Sequence, residues 1–267
     1  MWQANSSTLI ALLILAATYV GASLKLGQRP TVRQGVAFLA ALVTIVIAIT
    51  GPLDELTRDR SFTVYIFQQM LLVFVVPPLL LFGLPGWMVR PLMLNRWVEP
   101  VARVLTRPLF AFLLFAAVFT LIHYPTVCDR VCHAQVFYGN LHALLLFVGC
   151  LLWWPLLSPL PEYPRMTYPM QVMYLFLLMI PMTAVAAPIT LAGSVLYVFY
   201  MGGSHPLGLT PMADQVLGGI LMWVGQGVYI MFAFSAIFYR WSRWDDQEEP
   251  PLNREPIPAL KPATRHS

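Results

Sequence analysis

Soft metal-binding side chains are concentrated in one short stretch of this sequence. Cys128, Cys132 and His133 lie close together, and His123 precedes them by five residues. Thiolates and imidazoles, supplemented by a thioether such as that of Met222, are the donors that favour Cu(I), with Zn²⁺ as the competing ion. The stretch is therefore a candidate metal site, although its spacing does not match a paired Cys-x-x-Cys zinc module.

Two of these assignments have an alternative interpretation. In an oxidising compartment Cys128 and Cys132 form either a disulfide or a thiolate metal site, and the pair can change between these states with redox conditions. His142 lies deeper, in an apolar segment where a buried imidazole is costly. It either has a functional role there or hydrogen-bonds across the helices to Gln69 or Tyr138. The sequence leaves both questions open.

The segments that position these side chains are long and apolar. Hydrophobic residues make up 58% of the chain and charged residues 10%, and the mean hydropathy is +0.70, far from the composition of a water-soluble domain. We therefore predict an all-α fold, a polytopic membrane protein built as a seven-transmembrane-helix bundle. The predicted spans are residues 7–26, 35–51, 62–83, 108–124, 134–157, 170–191 and 212–239.

The basic residues predict how this bundle is oriented. Under the positive-inside rule, thirteen of the 16 Lys and Arg residues fall on one side of the seven spans, while Arg58, Arg60 and Arg130 fall on the other. This pattern predicts an N-terminus outside and a C-terminus in the cytoplasm. It also places the Cys and His cluster at the outer face. The net charge of +4 is therefore a consequence of topology and does not indicate nucleic-acid binding.

The chain changes composition near its C-terminus. Residues 1–243 are predicted to form the transmembrane domain, and residues 244–267, rich in Pro and in acidic and basic side chains, to form a disordered cytoplasmic tail. A P-loop, a dinucleotide-binding fingerprint and a Ser or Cys nucleophile at a recognisable spacing are all missing from the sequence. These observations favour a protein that is not an enzyme.

Several short motifs occur in a characteristic order along the spans. They are Gln69-Met70-Leu71-Leu72 with Pro77-Pro78, His123-Tyr124-Pro125, His142 followed by Trp153-Trp154-Pro155, and Asp214-Gln215 followed by Met222-Trp223. In this order the chain resembles the CtaG family of polytopic cytochrome c oxidase assembly factors, over most of its length. The resemblance implies a seven-span bacterial inner-membrane protein associated with the copper centres of heme-copper oxidases. It adds Asp214 to the candidate ligands and also includes Met222.

The chain also departs from the family pattern. The family carries two His on the third span, where this chain has Tyr65 and Gln69, and a His-x-x-Glu-His run on the fifth span, where it has Tyr138, Leu141 and His142. Either metal handling has moved outward to the cysteine stretch, or this member works without a metal.

The sequence therefore predicts an assembly factor that receives Cu(I) at the outer face and passes it to an apo-oxidase. The predicted ligands are Cys128, Cys132, His123, His133, His142, Met222 and Asp214. The implied partners are heme-copper oxidase subunits, a periplasmic copper donor and the lipid bilayer. The alternative is a metal-free scaffold or accessory subunit of the oxidase complex.

Overall fold

The structure is a computed structural model of the chain, and it describes residues 6–50, 52–58, 61–133, 135–202 and 208–248. Within these ranges the side chains of residues 6–8, 52, 58, 132–133, 135–139 and 245–248 are not described. All regular structure in the described ranges is helical, and they contain no strand, as the sequence predicts.

Thirteen α-helices are described, together with two π-helical turns and one 3₁₀ turn. The α-helices are α1 (Ser6–Leu26), α2 (Val32–Ile49), α3 (Pro52–Arg58), α4 (Phe62–Met70), α5 (Val76–Gly83), α6 (Gly86–Met93), α7 (Glu99–Leu105), α8 (Pro108–His123), α9 (Pro125–His133), α10 (Gln135–Leu157), α11 (Tyr168–Leu191), α12 (Pro211–Ile220) and α13 (Gln226–Glu248). The π-helical turns Leu71–Val75 and Leu221–Gly225 join α4 to α5 and α12 to α13.

Six helical segments of the described chain are long and apolar enough to cross a membrane. A seventh is obtained if α7 and α8, which meet at a bend of 75°, count as one broken span. The predicted spans coincide with these helices to within a few residues, although α13 continues past the predicted end to Glu248. Sidedness remains a prediction, because helix positions do not show which face of the bundle is outside. The tail remains a prediction for residues 249–267, which lie outside the described ranges, whereas residues 244–248 continue α13.

The segment from α4 to α5 is the central element of the bundle. In an 18-residue stretch of its span, Phe62–Gly83, 72% of the residues are buried, whereas in Leu9–Leu26 of α1 only 6% are. Close helix contacts at glycine hold neighbours against it. A Cβ added to Gly83 would lie 2.6 Å from the backbone nitrogen of Phe38 in α2. A Cβ on Gly149 of α10 would lie 2.8 Å from the ring of Pro77.

Consecutive prolines explain how this central span is locally opened. Pro77 lacks the N–H that would bond the Val73 carbonyl in an α-helix, and Pro78 lacks the one that would bond it in a π-helix. The indole N–H of Trp153 on α10 donates to that carbonyl instead, at 2.9 Å. A helix opened inside a membrane thus keeps its freed backbone group satisfied by a neighbouring helix.

Candidate functional site

A small, largely apolar cavity with several polar atoms lies between α4, α8 and the joint of α12 with α13. The described residues that line it are Ile66, Gln69, Met70, Val73, Phe74, Phe119, His123, Met222 and Gln226. The free space is enough for about one water-sized atom or ion. Both π-helical turns border it, and such turns inside α-helices frequently occur at functional sites.

His123 is the last residue of α8, and its ring orientation is fixed. Its Nδ1 lies 2.7 Å from the carbonyl oxygen of Phe119, one helical turn earlier. A carbonyl only accepts, so Nδ1 carries the proton, and in the neutral ring Nε2 keeps its lone pair. The Phe119 ring packs on the imidazole with centroids 4.4 Å apart. The side chain is 3% exposed, and Nε2 has no hydrogen-bond partner among the described residues.

Two methionine side chains also line the cavity. Met222 lies within the second π-helical turn and is 2% exposed, and Met70 lies at the end of α4, directly before the first. The second π-helical turn and the end of α4 approach closely at Gly225, where an added Cβ would lie 3.1 Å from the terminal methyl of Met70. Residues that carry an imidazole and two thioethers therefore line one space, and side chains of these types suit Cu(I) better than Mg²⁺ or Ca²⁺.

Asp214 lies in the first turn of α12 and is 3% exposed. Its carboxylate accepts hydrogen bonds from the backbone N–H groups of Phe62 and Thr63, at 2.6 and 3.1 Å, and from the Ser61 hydroxyl at 3.1 Å. The negative charge thus sits at the N-terminus of α4, where the helix dipole favours it. These hydrogen bonds account for its burial without a metal.

Helix α9 and the 3₁₀ turn Val198–Gly202 cover the end of the bundle near His123. The Asp129 carboxylate accepts the backbone N–H groups of Val198 and Phe199, at 3.3 and 3.1 Å. The Tyr197 hydroxyl donates to the His123 carbonyl at 2.8 Å. Cys128 is 1% exposed and belongs to the main hydrophobic core. The α9 segment is therefore docked on the bundle rather than projecting from it.

The structure brings some of the predicted ligands together and leaves others apart. His123 and Met222 line the cavity with Gln69, whereas His142, 2% exposed on α10, is not among its lining residues. The side chains of Cys132 and His133 lie outside the described set. Among the described side chains, no group of three or more His, Cys, Asp or Glu is placed to hold a metal. The predicted outer site, formed by Cys128, Cys132, His123 and His133, therefore remains a prediction.

Two positions at which the chain departs from the CtaG pattern are occupied by buried packing. Tyr65 is 1% exposed and lies beside Phe62 and Tyr200, with ring centroids 6.3 and 5.8 Å away. Leu141 is also buried in the main core. At these two positions the chain thus has packed side chains where the resemblance implies side chains that could bind a metal.

Sequence patterns did not indicate three residues of the site. Met70 and Gln226 line the cavity, and Phe119 orients His123. A signal existed for Gln226, because it is a polar residue four positions after Met222 in an apolar helix, and such a pair lies on one helix face. Met70 and Phe119 are ordinary membrane residues by type, so only the packed structure identifies them.

Comparison with known proteins gives a family and distant relatives. The sequence model of the family described as cytochrome c oxidase caa3 assembly factor (Caa3_CtaG) matches residues 17–244. Uncharacterized proteins of Mycobacterium bovis and Mycobacterium tuberculosis are each 24% identical to the chain over 265 residues. The alignments cover 92% of this chain and 40% of each relative, so the chain spans about 40% of the length of these relatives. No solved structure matches the chain.

Proposed function

Because this chain belongs to the cytochrome c oxidase caa3 assembly factor family, we propose that it assists the assembly of a respiratory heme-copper oxidase in a bacterial inner membrane. The family is one of assembly factors and not a class of catalytic enzymes. Several helices long and apolar enough to span a membrane support a membrane location. The oxidase subunits are the proposed partners.

The proposed cargo is Cu(I), with His123 as its central ligand. Two observations carry this proposal: the buried His123 Nε2 lacks a hydrogen-bond partner among the described residues, and His123 lines one cavity with Met70 and Met222. Neutral imidazole nitrogen and thioether sulfur are soft donors of the kind that bind Cu(I). This set differs from the one predicted from sequence, because Met70 joins it and neither His142 nor Asp214 lines the cavity.

The cysteine stretch would serve as the entrance to this site. Cys128 and Cys132 capture the ion as thiolates from a periplasmic copper donor, and His133 and His123 relay it inward. Because α9 follows α8 after a single residue, Tyr124, the cysteines of α9 are close to His123 along the chain. Thiolates must lose their protons to bind, so Cu(I) affinity at the entrance should rise with pH through the thiol range.

A second candidate function is that of a metal-free scaffold that holds oxidase subunits together. It is favoured by the lack of any group of three or more His, Cys, Asp or Glu placed for a metal within the described part of the chain. The weakly packed α1 supports it as well. Only 6% of its residues Leu9–Leu26 are buried, so most of this helix is accessible to a partner helix. His142 and Asp214 then serve only packing and capping.

Removal of the protein from its source bacterium distinguishes the two functions. If the chain delivers copper, the oxidase isolated from the deletion strain contains its subunits but is deficient in copper, and a His123→Gln copy does not restore it. A His142→Gln copy is the matched control, since it alters a buried imidazole outside the cavity. If the chain is a scaffold, the subunits fail to assemble and both copies restore them. A copper-replete, fully assembled oxidase in the deletion strain contradicts both functions.

A further inference from the structure

Three buried polar atoms around the cavity remain without a hydrogen-bond partner in the described part of the chain. They are Nε2 of Gln69, Nε2 of His123 and Oε1 of Gln226, and their side chains are 4%, 3% and 3% exposed. All three residues line the same cavity. Buried polar groups in folded proteins are nearly always hydrogen-bonded, so three orphans around one space point to a shared ligand.

The hydrogen-bonding capacities of these atoms define that ligand. The Gln69 amide nitrogen donates, the Gln226 amide oxygen accepts, and His123 Nε2 accepts because Nδ1 holds the ring proton on the Phe119 carbonyl. A water molecule supplies the matching set, since it donates two hydrogen bonds and accepts at least one. The space holds about one molecule of that size. A bare cation would leave the Gln69 N–H without an acceptor, so in the metal-free protein water is the ligand that satisfies all three atoms.

We propose that this cavity is a binding site for one ordered water molecule, which accepts from Gln69 and donates to His123 and Gln226. The water links α4, α8 and α13 at the level where two of these helices are opened by π-helical turns. It also holds the His123 ring at its second nitrogen. The inference stands independently of copper. If Cu(I) does bind His123, it must displace this water, which makes the two ligands competitors for one lone pair.

The direct test is an experimental structure of the wild-type chain in a lipid environment, at a resolution that shows ordered water. The expected result is one solvent peak within about 3.2 Å of all three atoms. The proposal is overturned if the space is empty, or if the three side chains bond to one another without a mediator.

A stability measurement tests the same proposal without a map. Leu in place of Gln226 removes one acceptor. If a water bridges the site, the Gln226→Leu variant leaves it under-coordinated, and the unfolding equilibrium constant in mixed micelles rises about tenfold. If the cavity is dry, the same change removes an unsatisfied polar group, and the constant stays the same or falls.

A double-mutant cycle adds a matched control. Gln69→Leu and Gln226→Leu remove two partners of one water, so their combined effect should fall short of the product of the single effects by about fivefold. Gln215→Leu is the comparison, because its side chain already bonds the Leu196 N–H at 2.7 Å and does not line the cavity. Combined with Gln69→Leu, it should act independently. Independent action of Gln69 and Gln226 overturns the shared water.

Discussion

The contact of Asp214 with the start of α4 yields a sharp prediction about stability. Its carboxylate accepts three hydrogen bonds, from the N–H groups of Phe62 and Thr63 and from the Ser61 hydroxyl, at 2.6–3.1 Å. A fourth bond runs from the Thr63 hydroxyl to the Asp214 carbonyl at 2.9 Å. The contact joins the central span to the last one, so we expect it to stabilise the bundle and not only α4.

Asp214→Asn keeps the size of the side chain but replaces one acceptor oxygen with an N–H₂ group and removes the charge. Hydrogen bonds to charged groups contribute about 1.5–3 kcal/mol each, and an N–H left unsatisfied at the helix start adds to the loss, so we expect the free energy of unfolding to fall by about 2–4 kcal/mol. Equilibrium unfolding in mixed micelles, followed by circular dichroism, measures it.

Thr63→Val provides the matched comparison. It removes only the neutral hydrogen bond from the Thr63 hydroxyl to the Asp214 carbonyl and should lower the free energy of unfolding by about 1 kcal/mol. If Asp214→Asn costs no more than Thr63→Val, the carboxylate does not hold the start of α4, and its burial needs another cause, such as a bound ion.

Further substitutions test the packing and the entrance. Gly83→Ala should lower the melting temperature clearly, because its Cβ would lie 2.6 Å from α2 backbone, whereas Gly21→Ala, with nothing within 4 Å, should leave it unchanged; equal shifts contradict the helix contact. Trp153→Phe removes the donor to the carbonyl freed by Pro77 and should lower the free energy of unfolding by about 1–3 kcal/mol, and a neutral result would refute that role. Changing both Cys128 and Cys132 to Ser should sharply weaken Cu(I) binding in a competition titration, and unchanged affinity removes them from the site.

The positions of the spans could be predicted from sequence because hydropathy and terminal signals agree. The third predicted span, residues 62–83, matches the structure at both ends: Ser61 caps its start, and its last residue, Gly83, packs directly on α2. Two spans match less well: the second, predicted to end at residue 51, runs on to Thr57, and in the fourth α8 alone is 16 residues long and meets α7 at a bend of 75°. A length criterion applied to a straight helix does not anticipate such a bend.

The composition of the cavity could not be predicted, because it depends on helix rotation. Hydropathy gives the depth of a residue along its span but not the direction in which it faces, so His142 and His123 were both plausible partners for Met222. The structure places His123 with Met222. The π-helical turns matter here too, since each inserts an extra residue that rotates the following face relative to an ideal helix. Adjacent Pro77 and Pro78 signalled one of these turns, and no comparable signal marks the other.

The central claim is that this assembly factor carries Cu(I) at His123, and copper retention by the purified protein tests it most directly. The full chain is loaded with Cu(I) under reducing conditions, washed with a competing chelator and measured by elemental analysis, beside His123→Gln and the control His142→Gln. We predict that the wild type and the control retain copper in stoichiometric amount and that His123→Gln retains much less, because only the cysteine stretch is left to bind the ion. A wild-type protein that retains no copper contradicts this claim, and the metal-free scaffold then remains as the proposed function.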